Sequence, residues 1–259
     1  MRLVTRSDFD GLICGMWFDH HASEDDRIGW SQGIPGESRF APSAARIIYE
    51  YYGGEKRFSH YYDMINAVDK MDSGNLTSED IFNPQGWVLL GFISDPRTGL
   101  GRFREFRISN YQLMENLVNH CRNMSIDEIL QQPDVLERIQ LYQEQTNLFI
   151  ELIKRYTKLD ENVIVTDLRG IETIYTGNRF LIYSLFPQQN VSVWIVDGKQ
   201  KQNVAIACGY SVLNRTCQVD IGKLMLEYGG GGHRMVGTCQ VPYERAETII
   251  GQIIERLKG

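Results

Sequence analysis

Residues 5–24 read TRSDFDGLICGMWFDHHASE, and acidic and imidazole side chains follow two short apolar runs there. The run MRLVT at residues 1–5 predicts a buried strand that ends in a turn near Asp8 and Asp10. One residue separates these aspartates, so on a strand they point the same way and can reach one cation. The run MWF predicts another strand, which ends at Asp19. The two strand ends together predict a metal site.

The residues after the second run supply donor atoms for a divalent ion. Asp19, His20 and His21 place a carboxylate next to two imidazoles. Oxygen ligands beside imidazole suit Mn²⁺, Mg²⁺ or another divalent ion better than a thiolate-preferring metal. Adjacent histidines point in different directions, so one can bind metal while the other faces a substrate. The alternative is that D-x-D-G is only a turn and that D-H-H is a set of polar residues at the end of a strand. Only the two motifs together favour the metal site.

The composition limits the classes of partner. The 259 residues are 42% hydrophobic and 23% charged, which suits a globular protein of two domains. The formal net charge of −6 argues against a protein that coats duplex nucleic acid, because such binding needs a broad basic face. An anionic substrate would therefore need a local basic pocket or metal ions.

The sequence indicates neither a membrane segment nor a disulfide framework. No apolar run approaches the roughly 20 residues that span a membrane, and the first residues lack the pattern of a secretory signal. We therefore expect a cytoplasmic protein. The five cysteines are scattered and lack C-x-x-C spacing, which favours buried free thiols over a zinc site.

Hydrophobic periodicity predicts helices in the first half of the chain and strands in the second. Helical spacing occurs at residues 41–54, 58–71 and 136–156, and the last of these is strongly amphipathic. Strand-like runs follow at residues 162–168, 180–186, 191–197 and 203–211. After them we expect a helix at 221–228, a strand at 238–242 and a final helix from Tyr243. We expect the long amphipathic helix to link two domains.

A run of four glycines precedes His233 near the end of the chain. Glycine allows backbone conformations closed to other residues, and successive exposed N–H groups form an anion-binding concavity. Upstream, Asn214 and Arg215 are candidates to bind a phosphate or a base, because the guanidinium fork suits bidentate phosphate contacts. A flexible hinge and a solvated arginine are the alternatives. These residues indicate phosphate binding only in combination with the N-terminal motifs.

Four motifs together resemble the DHH phosphoesterase family with its DHH-associated C-terminal domain, within a RecJ-like superfamily. They are D-x-D-G at residues 8–11, D-H-H at 19–21, VDKMDS at 68–73 and GGGGHRMVG at 229–237. The segment NPQGWVLLGFISDPRTGLGRFREFRISNYQL at 83–113 is most similar to the exopolyphosphatase-related and oligoribonuclease (nanoRNase) branch. The resemblance extends over nearly the whole chain and is more specific to the superfamily than to a substrate.

The resemblance implies an α/β fold with a parallel-sheet N-terminal DHH domain, a linker helix and a smaller mixed-sheet C-terminal domain. We expect the metal-dependent phosphoesterase domain over residues 1–122, the helical linker over 123–158 and the DHH-associated substrate-binding domain over 159–259. The linker would permit the two domains to close over a short substrate.

The same resemblance implies roles for residues of the first motifs. Asp8, Asp10 and His20 would bind two Mn²⁺ ions. Asp19 would orient the histidines, and His21 would polarise the scissile phosphate.

Further site residues are implied outside those motifs. Another metal ligand is expected at Asp69 or Asp72, and Asp69 is slightly preferred. The terminal phosphate or nucleotide of the substrate would be held by Asn214, Arg215, Gly230, Gly231, Gly232 and His233, with Arg102 in a basic pocket formed by its arginine-rich segment.

These parts indicate a metal-dependent phosphodiesterase that acts on short oligonucleotides or related nucleotide phosphoesters through a water activated by two metal ions. Mg²⁺ or another divalent ion is the alternative to Mn²⁺. The expected partner is a short single-stranded oligonucleotide or another small phosphorylated molecule, and a homodimer is left open. The alternatives in function are an exopolyphosphatase or pyrophosphatase and, outside the enzymes, a non-catalytic nucleotide or phosphate sensor.

The spacing of the first motifs departs from the family. Only five residues separate Asp10 from the MWF run, whereas a parallel crossover needs about a dozen or more. Family members carry several tens of residues there, so we hypothesise that a segment with a further metal-binding aspartate is missing between Gly15 and Met16. Val4 also stands where many members have a histidine ligand. An intact mass several kDa above that of the 259 residues would support this hypothesis, and an equal mass would exclude it.

Overall fold

The computed structural model describes residues 15–20 and 34–258. The chain divides into two compact units, Met1–Asn75 and Leu76–Gly259. The predicted strand at residues 1–5 and the predicted site residues Asp8, Asp10 and His21 lie outside the described residues. The predicted domain boundaries and the missing segment after Gly15 stay predictions.

The first unit contains a parallel pair of strands. Strand β1 (Trp17–Asp19) pairs in parallel with β2 (Gly36–Ser38), so that Asp19 lies opposite Ser38. The connection of residues 20–35 is long enough for the crossover that parallel strands require. The parallel sheet and the strand end at the D-H-H motif are therefore confirmed.

Helices follow this sheet in the first unit at Ala44–Tyr51 (α1), Glu55–Phe58 (α2) and Tyr62–Ser73 (α3). Helix α1 begins after Ser43, whose side chain accepts a hydrogen bond from the backbone N–H of Arg46 at 3.0 Å. Helix α3 ends at Gly74, which adopts a left-handed conformation with φ 66°. These elements confirm the helical patterns at residues 41–54 and 58–71.

The second unit begins with helices that pack around a core of its own. Their bounds are Ser78–Phe82 (α4), Gly86–Ser94 (α5), Asn110–Asn123 (α6), Ile126–Leu130 (α7) and Pro133–Tyr156 (α8). Helix α8 buries Val135, Ile139 and Tyr142 at helical spacing against α5, α6 and α7. The predicted amphipathic helix is thus confirmed. No helix in the described part of the chain is long and apolar enough to cross a membrane.

The second unit also contains a mixed sheet of six strands, with bounds Thr157–Asp160 (β3), Val163–Asp167 (β4), Val191–Asp197 (β5), Val204–Tyr210 (β6), Gly231–His233 (β7) and Val236–Val241 (β8). They lie in the order β3-β4-β5-β6-β8-β7. Strands β4 and β5 are parallel, and the other neighbouring pairs are antiparallel. The predicted α/β class, with a parallel sheet followed by a mixed one, is confirmed.

The core of this sheet lies under helices Ile221–Leu226 (α10) and Tyr243–Leu257 (α11). Fully buried apolar side chains of the sheet, such as Val193 and Ile206, pack with Ile253 of α11. Burial of this apolar surface is the main source of stability for the sheet. Three buried cysteines in the core are free thiols, as predicted: Cys208, Cys217 and Cys239.

One predicted strand is wrong. Residues 180–186 form a short helix, α9 (Leu181–Leu185), instead of a strand. A short continuous apolar run does not distinguish a buried strand from a buried helix by periodicity. Here Asn178 starts the turn, because its side chain accepts from the N–H of Phe180 at 2.9 Å and its carbonyl from the N–H of Leu181 at 3.0 Å.

Candidate active site

The structure brings two predicted metal ligands together in the first unit. His20 directly follows β1, and Asp72 lies in the last turn of α3. The Nε2 atom of His20 and the Oδ2 atom of Asp72 are 3.3 Å apart, and the Asp72 side chain is 48% exposed. An imidazole and a half-exposed carboxylate therefore converge at the end of the parallel strand pair.

Asp69, the other candidate on α3, contacts α1 instead. Its Oδ1 accepts from the Ser43 hydroxyl at 2.7 Å, and its Oδ2 accepts from Nε of Arg46 at 2.8 Å. The second guanidinium nitrogen, Nη2, also lies 2.7 Å from Oδ2. Both Asp69 oxygens are thus engaged in a partly buried network that joins the two helices, and its charge is balanced by Arg46.

The donor atoms at this position suit the predicted divalent ion. His20 offers an imidazole nitrogen and Asp72 a carboxylate, a combination that suits Mn²⁺ or a similar hard-to-borderline cation. Among the described residues no group of three or more His, Cys, Asp or Glu side chains could hold a metal. The predicted ligands Asp8 and Asp10 lie outside those residues. His20 and Asp72 offer donor atoms of the expected types, and the complete metal centre stays a prediction.

Asp19 is the last residue of β1. Its carbonyl accepts a hydrogen bond from the backbone N–H of Arg39 at 3.3 Å, which extends the pairing between the two strands by one residue. This contact fixes the backbone from which His20 projects. The orienting role of the Asp19 side chain stays a prediction.

The glycine run enters a hairpin in the second unit, where the sequence predicted an anion-binding concavity, with a flexible hinge as the alternative. Gly231 and His233 belong to β7, which pairs with β8. A Cβ on Gly230 would come within 2.0 Å of the Thr238 carbonyl, and one on Gly232 within 2.2 Å of the Val236 carbonyl. Close packing against β8 therefore requires glycine at these two positions, independently of any ligand.

Gly231 differs from its neighbours in the run. A Cβ there would meet no described atom within 4 Å, and its φ lies outside the left-handed region. Neither packing nor backbone conformation requires glycine at this position, which leaves close approach of a ligand as a reason for it. The phosphate-binding role predicted for the run stays a prediction.

The loop with Asn214 and Arg215 starts at the same end of the sheet as this hairpin, since the N–H of Tyr210 donates to the carbonyl of Met235 at 2.9 Å. Asn214 donates from Nδ2 to the Gln188 carbonyl at 2.8 Å, and Arg215 donates from Nε to the Val212 carbonyl at 3.2 Å. The structure thus places the loop and His233 at one end of the sheet. The Asn214 and Arg215 side chains donate these hydrogen bonds to backbone carbonyls, which stabilises the loop conformation.

Arg102 holds two segments of the second unit together. Its Nη2 donates to the Ile174 carbonyl at 2.6 Å, and burial lowers the pKa of its guanidinium. Arg97 belongs to the same arginine-rich segment as Arg102, and it donates from Nε to both oxygens of Asp95, at 2.8 and 3.0 Å. Burial would raise the pKa of Asp95, but the hydrogen bonds from Arg97 hold it below its ordinary value.

Sequence reasoning missed Arg179, which lies within electrostatic range of Asp95 and Arg97. Burial and the nearby charge of Arg97 lower the pKa of Arg179. Its buried Nε has no hydrogen-bond partner among the described residues, and its guanidinium lies 4.5 Å from the ring centroid of Phe180. Arg97 forms the direct ion pair with Asp95, so the guanidinium of Arg179 adds positive charge that this pair does not neutralise. About eighty residues separate Arg97 from Arg179, so no local motif indicates that they lie near the same carboxylate.

No protein-family model matches the chain, and no curated protein matches it. Among solved structures the chain is similar to a pGpG-specific phosphodiesterase, PggH, from Vibrio cholerae. The two are 49% identical with a TM-score of 0.76, over 84% of this chain and 73% of that one.

Two other solved structures are much more distant. An exopolyphosphatase-related protein from Bacteroides fragilis is 15% identical with a TM-score of 0.49, over 94% of this chain and 64% of that one. A DHH domain described as a member of the s1p family of ribosomal proteins is 14% identical with a TM-score of 0.44, over 83% of this chain and 52% of that one. Neither supports a functional argument.

Proposed function

Because the chain belongs to the DHH phosphoesterase family, we propose that it is a phosphodiesterase that hydrolyses pGpG and related short 5′-phosphorylated oligoribonucleotides. The observation that carries the proposal is the convergence of His20 and Asp72 at 3.3 Å in a chain 49% identical to a pGpG-specific phosphodiesterase. A local metal centre also supplies the positive charge that a chain of net charge −6 needs to bind an anionic substrate.

We propose Asp72 as the metal ligand of α3. A metal ion at Asp69 would have to displace Arg46, which is bonded to the Asp69 carboxylate through two nitrogens. Asp72 makes no such ion pair with an arginine or lysine among the described residues, and it faces His20. Asp69 then acts as a positioning residue, since its contacts with α1 fix the helix that carries Asp72.

The residues present would hold divalent ions, for which we propose Mn²⁺, through His20, Asp72 and the predicted ligands Asp8 and Asp10. Such ions, when bound, supply a water of lowered pKa and stabilise the charge that develops on the attacked phosphate. Asp19 fixes the backbone that presents His20, and His21 is proposed to face the scissile phosphate.

We propose that the second unit binds the substrate through positively charged and backbone groups. Arg97 and Arg179 provide excess positive charge next to a single carboxylate, Asp95, and a phosphate would relieve the repulsion between the two guanidiniums. Gly231 and His233 are proposed to contact the terminal phosphate or the nucleotide.

The test is release of mononucleotide from pGpG by the purified full chain, measured by chromatography with Mn²⁺ and then with excess chelator. We expect Mn²⁺-dependent formation of GMP and slower hydrolysis of longer oligoribonucleotides. Inorganic polyphosphate in parallel reactions is the control for the alternative substrate. Phosphate release from polyphosphate without GMP formation would replace the proposal, and binding of pGpG without turnover would indicate a sensor.

A further inference from the structure

A cleft lies at the end of the mixed sheet opposite the glycine hairpin. Along β5 and β6 the residue pairs run from Val191↔Tyr210 to Asp197↔Val204. The hairpin and the Asn214 loop lie at the first of these ends, because Gly209 pairs with Val236. Seven residues of β5 separate the two ends, which corresponds to about 20 Å of strand. A site at the second end is therefore distinct from Gly231 and His233, which are proposed to contact the substrate.

The cleft is an open cavity of about 620 Å³ at this second end. It is lined by the junction of α8 and β3, the loops after β4 and β5, and the start of α11. The carboxyl ends of the parallel strands β4 and β5 both face it, which is where sheets with parallel strands commonly bind ligands. Its volume is sufficient for a mononucleotide-sized molecule.

The carboxylates in the cleft are already engaged by the protein. Asp167 accepts from Nε and Nη2 of Arg169, at 2.9 and 2.5 Å. Asp197 accepts from the Gly170 N–H at 2.9 Å and from the Tyr243 hydroxyl. Arg169 therefore offsets the negative charge of Asp167, whereas the two donors to Asp197 are neutral and leave its charge to the nearby Lys201.

The cations of the cleft are less completely neutralised. Arg155 and Lys158 are exposed and form no ion pair with any described residue. The Nζ atom of Lys201 lies 4.0 Å from the Oδ2 atom of Asp197, and the Lys201 side chain is 71% exposed. The guanidinium of Arg155 lies 5.6 Å from the ring centroid of Tyr156. The cleft thus contains uncompensated positive charge beside an aromatic ring, in a chain that is acidic overall.

We infer that this cleft is a second anion-binding site, which takes the phosphate of a 5′-mononucleotide. A guanidinium and an ammonium group from neighbouring residues, Arg155 and Lys158, can both donate charge-assisted hydrogen bonds to a phosphate dianion. Tyr156 and Tyr243 line the same cavity, and an aromatic ring can give a flat base an apolar contact. The inference does not depend on hydrolysis and goes beyond the proposed function, because none of these residues belongs to the proposed catalytic centre.

The experiment is isothermal titration calorimetry of the 259-residue chain with GMP at low ionic strength. Excess chelator is present, so that binding through a metal ion is excluded. The test variant is Arg155→Ala/Lys158→Ala. The matched control, Arg122→Ala/Lys154→Ala, removes one arginine and one lysine that are exposed and do not line the cleft. We expect the test variant to bind GMP at least about tenfold more weakly than the wild type, since hydrogen bonds to a charged group are lost. The control is expected to bind as the wild type does, and melting curves establish that both variants are folded.

Binding of GMP through the other end of the sheet is a distinct outcome. A His233→Ala variant that loses GMP binding, together with an unchanged Arg155→Ala/Lys158→Ala variant, would overturn the inference. So would no GMP binding by the wild type, or an equal loss in the control pair, which would indicate a general charge effect. Because chelator is present throughout, failure of hydrolysis would leave these measurements unaffected.

Discussion

The Nε2 atom of His20 lies 3.3 Å from the Oδ2 atom of Asp72. One helical turn earlier, both oxygens of Asp69 are bonded to Ser43 and Arg46. Helix α3 therefore carries two carboxylates with different tasks. One is half-exposed and faces an imidazole, whereas the other joins α3 to α1.

Replacing each carboxylate by its amide should separate these tasks. We expect Asp72→Asn to lower kcat for pGpG by about 100-fold or more and to weaken Mn²⁺ binding in calorimetry, because a charged ligand is lost. Its unfolding free energy should stay near that of the wild type, because the side chain is 48% exposed.

Asp69→Asn should act mainly on stability, because Arg46 loses a charged acceptor in a partly buried network. We expect a loss of about 1–3 kcal/mol in the free energy of unfolding, measured with urea, and a smaller loss of activity. If Asp69→Asn abolished Mn²⁺ binding while Asp72→Asn retained it, the proposed assignment of the metal ligand would be reversed.

Arg179 is expected to act on substrate affinity. Arg179→Gln removes one of the two guanidiniums beside Asp95, so we expect the KM for pGpG to rise about tenfold with little change in kcat. Steady-state kinetics with Arg104→Gln is the control, since Arg104 is an exposed arginine of the neighbouring segment. Equal KM values for the two variants would remove Arg179 from the proposed substrate site.

The sequence predicted the elements whose hydrophobic pattern is long or strictly alternating. Helix α8 and strands β4, β5, β6 and β8 lie where the pattern indicated them, because burial of one face fixes the spacing of apolar residues. The run at 180–186 was predicted wrongly, since its turn depends on Asn178 rather than on periodicity.

The site residues were harder to predict because their roles depend on distant contacts. Asp69 and Asp72 belong to one motif, and only the position of Arg46 on α1 distinguishes them. The approach of Arg179 to the Arg97–Asp95 ion pair depends on how two segments pack. In the same way, Gly230 is required by its contact with Thr238, which the sequence of the run does not reveal.

Arg138 is a fully buried cation that holds an irregular segment in place. It donates to the carbonyls of Ile108 and Asp134, each at 2.7 Å, and its guanidinium lies 4.1 Å from the ring centroid of Phe106. Arg138→Met would remove the donor to the Ile108 carbonyl and the ion-pair partner of Glu137. We expect the free energy of unfolding to fall by about 3 kcal/mol, measured with urea. Arg107→Ala is the exposed control, and a loss no larger than that of the control would contradict the role of Arg138.

Tyr183 gives the fold a sensitivity to alkaline pH. Its buried hydroxyl shares a 2.7 Å hydrogen bond with Ser192. Burial raises the pKa of Tyr183 to about 12, compared with about 10 in an unfolded chain. Between these values the unfolded chain releases a proton that the folded protein keeps. The stabilisation is therefore fully present below pH 10 and is lost as the pH rises towards 12.

We expect Tyr183→Phe to lose less stability than the wild type as the pH rises from about 9 to 11.5. One proton contributes a slope of up to about 1.4 kcal/mol per pH unit, and the variant lacks that contribution. At neutral pH the variant should be less stable, because the Ser192 hydroxyl loses its hydrogen bond with Tyr183.

Urea unfolding from neutral pH to pH 11.5 measures both effects. Tyr111→Phe, at a position that is 73% exposed, is the control and should keep the slope of the wild type. A Tyr183→Phe slope equal to that of the wild type would show that the phenol titrates alike in the folded and unfolded states.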